Sequence, residues 1–283
     1  MHTLVFDVYG TLVDPTDVTV LLESRLGENA VHFANQWRKK QLEYSYRMGL
    51  MRWYQPFSQC SKYAFEYTCE EFGVSFTDEE KKALFLRSLS LPAYDDAEEA
   101  LKKFSQTDAG RFAFSNGVAE DVEAVLTYSN LRPYLQEVVS VDAIKIFKPS
   151  RIAYGYLLER IALYNNPNAE ESTHDIQKES TQLDMDFGTS RCLHYVESGL
   201  DEQEQETVVK KPAYAMQDAS CVWLISSNPF DVIGAKVAGL QAVWIKRSPT
   251  SVFDPWGVEP TLTVATLTEL YDVLRYRNVL TLI

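Results

Sequence analysis

Short apolar runs typical of buried strands alternate with helical segments along most of this chain. The strand-like runs are Thr3–Phe6, Arg111–Phe114, Glu137–Ser140, Cys221–Ser226 and Gln241–Ile245. The helical segments between and after them include Val118–Tyr128, Ser150–Leu163 and Phe230–Val237. Because an alternation of strand and helix is characteristic of a parallel sheet with helices on both faces, the predicted fold class is α/β.

One long helical segment interrupts this alternation after the first strand. Helical periodicity continues there for about 75 residues without a strand signal. Within it, Thr77 and Glu80 have the spacing of a capping box, which begins a helix. The sequence therefore predicts an all-helical cap over residues 15–90 and a core formed by residues 1–14 and 91–283.

The formal net charge of −13 is unevenly distributed along the chain. Residues 165–211 hold 11 acidic and 4 basic side chains and show no sustained periodicity. This composition predicts a solvated, partly disordered acidic insertion within the core, and binding of a partner is the alternative interpretation. The acidic balance of the chain argues against a nucleic-acid partner, because nucleic-acid binders need basic surfaces.

Cysteine usage and the first residues predict a cytoplasmic protein. The four cysteines form no C-x-x-C pair, which is typical of a reduced intracellular chain rather than a disulfide framework. No run reaches the roughly 18 apolar residues that a membrane span needs, so no membrane partner is expected. The strand-like run Thr3–Phe6 leaves no room for a cleavable leader.

Polar side chains stand at the carboxyl ends of the predicted strands, where ligands bind in parallel sheets. These residues are Asp7, Ser115, Asn116, Lys148, Ser226, Asn228 and Asp231. Each has an ordinary structural explanation by itself, such as a turn aspartate, a surface lysine or an acid in the first turn of a helix. Together they form a catalytic constellation in which a lysine orients the Asp7 carboxylate. The set holds no histidine and no cysteine, so histidine-assisted serine or cysteine hydrolysis is disfavoured.

Four short motifs follow one another along the chain. They are Phe6-Asp7-Val8-Tyr9-Gly10-Thr11-Leu12, Phe114-Ser115-Asn116-Gly117, Lys148-Pro149 and Ser226-Ser227-Asn228-Pro229-Phe230-Asp231. In this order they resemble the motifs of the haloacid dehalogenase superfamily, and the resemblance covers nearly the whole chain except residues 165–211. It implies a Rossmann-like parallel core with an inserted all-helical cap.

Within that superfamily the chain is most similar to the type II L-2-haloacid dehalogenases. The features that carry this similarity are Tyr9, two residues after Asp7, the cap sequence from Trp37 to Tyr44, and Tyr154 after Lys148-Pro149. The resemblance implies hydrolysis of S-2-haloalkanoic acids to R-2-hydroxy acids through an aspartyl ester on Asp7. It also implies a homodimer as the assembly.

The resemblance further implies which residues carry the chemistry. Asp7 would be the nucleophile, Asp231 would activate the hydrolytic water, and Lys148 would orient Asp7 and offset its charge. The residues that would position Lys148, Asp231 and the water are Thr11, Tyr154, Ser226 and Asn228.

The resemblance implies substrate contacts from both the cap and the core. Arg38 on the cap would receive the departing halide, helped by Tyr9 and Asn116. Ser115 and the neighbouring backbone amides would bind the substrate carboxylate. Phe230 stands where related dehalogenases often have tryptophan, which keeps the pocket apolar but removes an indole N–H.

A metal site is not expected from these residues. Phosphatases of the superfamily have a second aspartate where this chain has Tyr9, and they place further acids at the fourth motif, where this chain has only Asp231. The remaining carboxylates beside a lysine are a poor match to the octahedral oxygen ligation of Mg²⁺. The prediction is an enzyme without a cofactor. The alternatives are a Mg²⁺-dependent phosphatase of small phosphorylated metabolites and a binding protein built on the same scaffold.

Overall fold

Six strands form one parallel sheet in the order β3-β2-β1-β4-β5-β6. The structure is a computed structural model that describes residues 2–166 and 218–283. The strands are β1 (Thr3–Phe6), β2 (Gly110–Ser115), β3 (Glu137–Ser140), β4 (Val222–Ser226), β5 (Gln241–Ile245) and β6 (Leu262–Val264). The predicted parallel α/β fold is thereby confirmed, and the five predicted strands lie within one residue of their observed bounds.

Nine α-helices accompany the sheet in the described ranges. They are α1 (Thr19–Leu26), α2 (Ala30–Leu50), α3 (Phe57–Phe72), α4 (Asp78–Arg87), α5 (Ala97–Phe104), α6 (Ala119–Tyr128), α7 (Arg151–Asn165), α8 (Pro229–Val237) and α9 (Leu267–Tyr276). The sequence did not predict β6 and α9. A strand of three residues is too short to show the period-2 pattern by which strands are recognised.

Strand β1 lies at the centre of the sheet because its side chains are apolar enough to be covered on both faces. All four of its residues are buried, and it pairs with β2 on one side and β4 on the other. Near-continuous apolar runs are what strands of a doubly covered parallel sheet require. The turn that follows β1 therefore opens in the middle of the carboxyl edge of the sheet.

Helices α1 to α4 fill the chain between β1 and α5, where the sequence predicts a helical cap. Aromatic side chains pack α2 against α3: the ring centroids of Trp37 and Phe65 are 5.0 Å apart, and those of Phe33 and Phe65 are 5.7 Å apart. Thr77 and Glu80 form the predicted capping box at the start of α4. These aromatic contacts pack α2, a helix of 21 residues, against α3.

Contacts divide the chain into two compact units, one of residues 1–158 with 217–283 and one of residues 159–216. All six strands belong to the first unit, as do helices α1 to α6. The predicted division between core and cap falls inside this unit and stays a prediction. The predicted acidic insertion lies outside the described residues, except for its first two positions.

None of the helices in residues 2–166 and 218–283 has the length and apolar character that crossing a membrane requires.

Candidate active site

The Asp7 carboxylate is held by four side chains at the carboxyl end of β1. Its Oδ2 accepts hydrogen bonds from Thr11 Oγ1 (2.9 Å), Asn228 Nδ2 (2.7 Å) and Ser226 Oγ (3.2 Å). Its Oδ1 accepts one from Lys148 Nζ at 3.0 Å. Because one oxygen is surrounded by three neutral donors and the other faces a cation, the two oxygens are chemically distinct.

Lys148 has one acceptor for each of its three ammonium protons. Nζ lies 3.0 Å from Asp7 Oδ1, 2.7 Å from Asp231 Oδ2 and 3.1 Å from the carbonyl oxygen of Phe114. Burial lowers the pKa of the Lys148 ammonium, but the attraction of Asp231 and Asp7 outweighs it, and the net pKa is raised. The ammonium is therefore a fixed positive charge between two carboxylates.

Asp231 is completely buried in the first turn of α8. Its Oδ2 accepts from Lys148, and its Oδ1 accepts from the hydroxyl of Tyr154 at 2.8 Å. Burial raises the pKa of the Asp231 carboxyl above its ordinary value, although both hydrogen bonds act in the opposite direction. A carboxylate with a raised pKa is a stronger base, which suits a group that takes a proton from water.

The polar side chains around these carboxylates contact Asp7 directly. The resemblance implies that Thr11, Ser226 and Asn228 position Lys148, Asp231 and the hydrolytic water, and in the structure all three donate to Asp7 Oδ2. For Ser226 and Asn228 the reason is the parallel pairing of β1 with β4, which places Phe6 beside Ile225, and therefore Asp7 beside the end of β4. Thr11 reaches Asp7 locally, because it lies four residues further along the same turn. Tyr154, by contrast, contacts Asp231 as expected.

A second set of hydrogen bonds fixes the turn after Asp7, and the sequence did not predict it. The Ser227 amide donates to Thr11 Oγ1 (2.8 Å), and the Ser227 hydroxyl donates to the Gly10 carbonyl (2.7 Å). Arg247 Nη2 donates to the Thr11 carbonyl at 2.6 Å, and its Nη1 contacts both oxygens of Asp96. Gly10 has φ +87°, in the left-handed region that favours glycine. Hydrogen bonds from Ser227 and from Arg247 thus hold the turn in place.

Ser115, the last residue of β2, and Asn116, the next residue, lie on the side of β1 opposite to β4. Asn116 Oδ1 accepts from the Lys148 amide at 2.9 Å, which leaves its Nδ2 protons for another acceptor. Ser115 Oγ accepts from the Gly117 amide at 3.1 Å. Both side chains are buried at the strand end, so they can offer their remaining protons to an anion next to Asp7.

Arg38 projects from α2 into the same region. Its Nη1 donates to Gln41 Oε1 at 2.9 Å, and its guanidinium carbon lies 5.8 Å from the ring centroid of Phe57. Burial lowers the pKa of the guanidinium, whereas attraction to Asp7 and to nearby tyrosines, Tyr9 among them, raises it. Burial raises the pKa of the Tyr9 phenol, which is therefore neutral. Arg38 is therefore a partly desolvated cation that attracts the Asp7 carboxylate electrostatically.

An aromatic pair also reaches this region, and the sequence pointed to only one of its members. The rings of Tyr46 on α2 and Phe230 on α8 meet edge to face with centroids 5.4 Å apart. Burial raises the pKa of the Tyr46 phenol, and Arg38 lowers it. The sequence signal that could have indicated Tyr46 was its position eight residues after Arg38 on the same helix.

The donor set does not suit a divalent metal. Within residues 2–166 and 218–283, no three His, Cys, Asp or Glu side chains are grouped as metal ligands. The space between Asp7 and Asp231, where two carboxylates could share a cation, holds the Lys148 ammonium. The residues present therefore do not fit the Mg²⁺ site that the phosphatase alternative needs.

A parallel α/β sheet with a buried aspartate–lysine–aspartate site at its central strand ends defines a class of hydrolases that use an aspartate nucleophile. The model of the haloacid dehalogenase-like hydrolase family matches residues 1–172, and the chain belongs to this family. The resemblance seen in the sequence motifs is thereby confirmed.

Individual relatives and structures agree with this family. An (S)-2-haloacid dehalogenase of Pseudomonas fluorescens is 31% identical over 270 residues, which cover 95% of both chains. An (S)-2-haloacid dehalogenase of Pseudomonas putida is 30% identical over 96% of this chain and 95% of its own. The solved L-2-haloacid dehalogenase from Xanthobacter autotrophicus with chloropropionic acid covalently bound superposes with a TM-score of 0.73. At 22% identity, over 97% of this chain and 98% of that one, it shows a shared fold.

Proposed function

We propose that this chain is a hydrolytic dehalogenase that converts S-2-haloalkanoic acids to R-2-hydroxy acids through an ester on Asp7, without a metal or other cofactor. The observation that carries the proposal is the environment of Asp7, whose Oδ1 faces a buried ammonium while three donors hold Oδ2. The names of the relatives support the same reaction. A halide leaves without being protonated, so the reaction needs no general acid at the position of Tyr9.

In the first step Asp7 attacks the substrate. Oδ1 is the attacking atom because it has only one hydrogen-bond donor and therefore keeps a free lone pair. It forms a bond to the substrate Cα, and the bond between carbon and halogen breaks on the opposite side, with its electron pair leaving on the halide. Configuration at Cα is inverted, which turns the S substrate into an R ester.

The groups around Asp7 bind the departing halide and the carboxylate of the substrate. Arg38, Tyr9 and the free Nδ2 protons of Asn116 stabilise the charge that develops on the halide. The Ser115 hydroxyl and the backbone amides after β2 bind the substrate carboxylate. Arg38 opposes the negative charge of Asp7, so a carboxylate substrate can approach despite the acidic net charge of the chain.

In the second step water hydrolyses the ester. Asp231 takes a proton as the water oxygen attacks Cγ of Asp7, and the charge on Oδ2 is stabilised by Thr11, Ser226 and Asn228. The bond between Cγ and Oδ1 then breaks, and the hydroxy acid leaves with Oδ1 and the proton from Asp231. The carboxyl group left on Asp7 contains the water oxygen, and release of its remaining proton to solvent restores the carboxylate.

The proposed core and cap each contribute residues to this chemistry. Residues 1–14 and 91–283 supply the nucleophile, the lysine and the base, and residues 15–90 supply Arg38 as a cap. Two features separate the proposal from the phosphatase alternative: Tyr9 stands where phosphatases of the superfamily have a second aspartate, and Asp231 is the only acid of the fourth motif.

Halide release from S- and R-2-chloropropionate, each with and without EDTA, tests the proposal. Release from the S acid alone, unaffected by EDTA, is the expected result. Release from neither acid, together with Mg²⁺-stimulated hydrolysis of p-nitrophenyl phosphate, would establish the phosphatase instead.

A single turnover in ¹⁸O-labelled water tests the ester. The label is expected in the Asp7 carboxylate and not in the first product molecule, and label in that product would exclude attack at Cγ. Asp7→Asn is expected to remove activity without unfolding the chain.

A further inference from the structure

A cavity of about 610 Å³ adjoins the Asp7 site and is much larger than a short haloacid needs. It begins at Tyr9, Arg38 and Gly117 and extends between helices α2, α3 and α4. Sites of roughly 300–1,000 Å³ enclose ligands of drug size. A three-carbon haloacid, with only about six non-hydrogen atoms, would leave most of this space empty or filled with water.

The walls of the cavity beyond Arg38 are largely apolar. The apolar side chains that line it include Val18, Trp37, Phe57, Phe85, Leu89 and Leu91. Trp37, Phe57 and Leu91 are buried, so these walls are packed parts of the protein rather than loose surface groups. Burial of matching apolar groups of a ligand against such walls would be favourable, because it removes apolar surface from water.

The outer part of the cavity carries both signs of charge. Lys62, Lys81 and Lys82 line it together with Asp78 and Asp121, and Lys81 is already paired with Glu66 at 2.7 Å. A second carboxylate on the substrate would therefore meet acids as well as lysines. The mixed charge disfavours a dicarboxylate and leaves an uncharged apolar group as the best match to the walls.

Arg38 belongs both to the cavity and to the surroundings of Asp7. It lines the cavity and is attracted electrostatically to Asp7, and Tyr9 also belongs to both regions. A substrate whose C2 lies at Asp7 and whose halide faces Arg38 can therefore direct its C2 substituent along the apolar walls.

We propose, building on the function above, that the substrates of this enzyme are 2-haloacids with an extended apolar group on C2. The group is an alkyl chain of about five or more carbons or an aromatic ring, seated between α2, α3 and α4.

A homologous series of S-2-bromo acids with three to ten carbons, and S-2-bromo-3-phenylpropanoate, tests this substrate class. About 0.8 kcal/mol per buried methylene corresponds to a rise of about fourfold in kcat/KM for each added carbon until the cavity is filled. A flat or falling dependence on chain length would overturn the inference. All acids are used below their micellar concentrations.

Binding of unreactive acids separates this inference from the proposed reaction. Octanoate is expected to bind at least ten times more tightly than propanoate in calorimetry. If short haloacids release halide and long ones neither react nor bind, only the substrate class is wrong. If octanoate binds tightly but no haloacid releases halide, only the reaction is wrong.

Leu89 allows the cavity to be narrowed with a matched control. Leu89→Trp is expected to lower the ratio of kcat/KM for 2-bromooctanoate to that for 2-bromopropanoate about tenfold. Leu89→Met conserves the side-chain volume and is expected to keep the ratio. Ser61→Phe, in the wall formed by α3, replaces Leu89→Trp if that variant does not fold. An unchanged ratio in a folded, narrowed variant would place the substituent elsewhere.

Discussion

The Tyr154 hydroxyl donates to Asp231 Oδ1 across 2.8 Å, and both side chains are completely enclosed by protein. Burial alone would favour the neutral form of the carboxyl and raises its pKa, and this hydrogen bond partly offsets that effect. Tyr154 therefore adjusts the basicity of the group that we assign to water activation. It does so without access to solvent or substrate.

Tyr154→Phe is expected to move the acid side of the pH–rate profile to higher pH. Loss of the hydrogen bond removes a contribution that lowers the pKa of Asp231, so the base becomes protonated at a higher pH and the variant loses activity there first. The measurement is kcat for the hydrolysis of S-2-chloropropionate from acid to neutral pH. Tyr276→Phe, at an exposed position, is the control. If the acid side of the pH–rate profile does not move, Tyr154 does not influence the pKa of Asp231.

Gly234→Ala is expected to disturb the same pair through packing. A Cβ at Gly234 would overlap the Tyr154 hydroxyl and lie 2.6 Å from Pro149 Cβ, so Tyr154 must move away from Asp231. We expect a loss of about 1–3 kcal/mol in unfolding free energy, as for other overpacked cores. We also expect the same acid-side shift as in Tyr154→Phe.

Gly155→Ala is the matched control for this prediction. Gly155 lies in the adjacent helix α7, and a Cβ added there would have no atom within 4 Å. The substitution should stabilise the protein by about 0.5–1 kcal/mol, since alanine is the better helix former. Equal effects of the two substitutions in urea denaturation would contradict the packing argument.

The sequence predicted which residues form the site better than it predicted how they contact one another. Asp7, Lys148 and Asp231 could be grouped because carboxyl ends of parallel strands share one edge of a sheet. That Ser226 and Asn228 donate to Asp7 depends on the register between β1 and β4, which is fixed by tertiary packing and not by local pattern. Arg247 was missed for the same reason, because it reaches Thr11 from 236 positions along the chain.

Asn228→Asp is expected to reduce activity by at least about 1,000-fold at neutral pH. The change removes a donor and places a second negative charge at the position that now lies 2.7 Å from Asp7 Oδ2. Both the attack by Asp7 and the later charge on Oδ2 become less favourable. Asn130→Asp adds the same charge at an exposed position and should leave kcat/KM unchanged. Substantial activity in Asn228→Asp would exclude Oδ2 as the site of the developing charge.

Arg38→Lys is expected to lower kcat about 100-fold for chloride and less for bromide, which is the better leaving group. A lysine keeps the charge but loses the planar group that lies over Phe57 and contacts Gln41. The measurement is kcat with S-2-chloropropionate and S-2-bromopropionate. Lys39→Arg, at the exposed neighbouring position, should change neither value. Equal losses for both halides would argue that Arg38 binds the carboxylate instead.

Arg247→Met is expected to cost about 3–5 kcal/mol of unfolding free energy, because it leaves a largely buried Asp96 without its cation. The turn that carries Thr11 loses a hydrogen bond at the same time, so kcat should fall as well. Lys103→Met breaks the exposed pair with Glu99 and should cost less than about 1 kcal/mol. Chemical denaturation of both variants distinguishes these costs.

The pairing of β1 with β4 means that the site is assembled from two stretches that are far apart in the chain. Asp7 and Lys148 precede residue 166, whereas Ser226, Asn228 and Asp231 follow residue 218. A chain cut between these positions would yield two fragments, each with one of the two carboxylates. Neither fragment could hydrolyse the ester alone, so halide release over many turnovers from a mixture would measure how many pairs of fragments had reassembled.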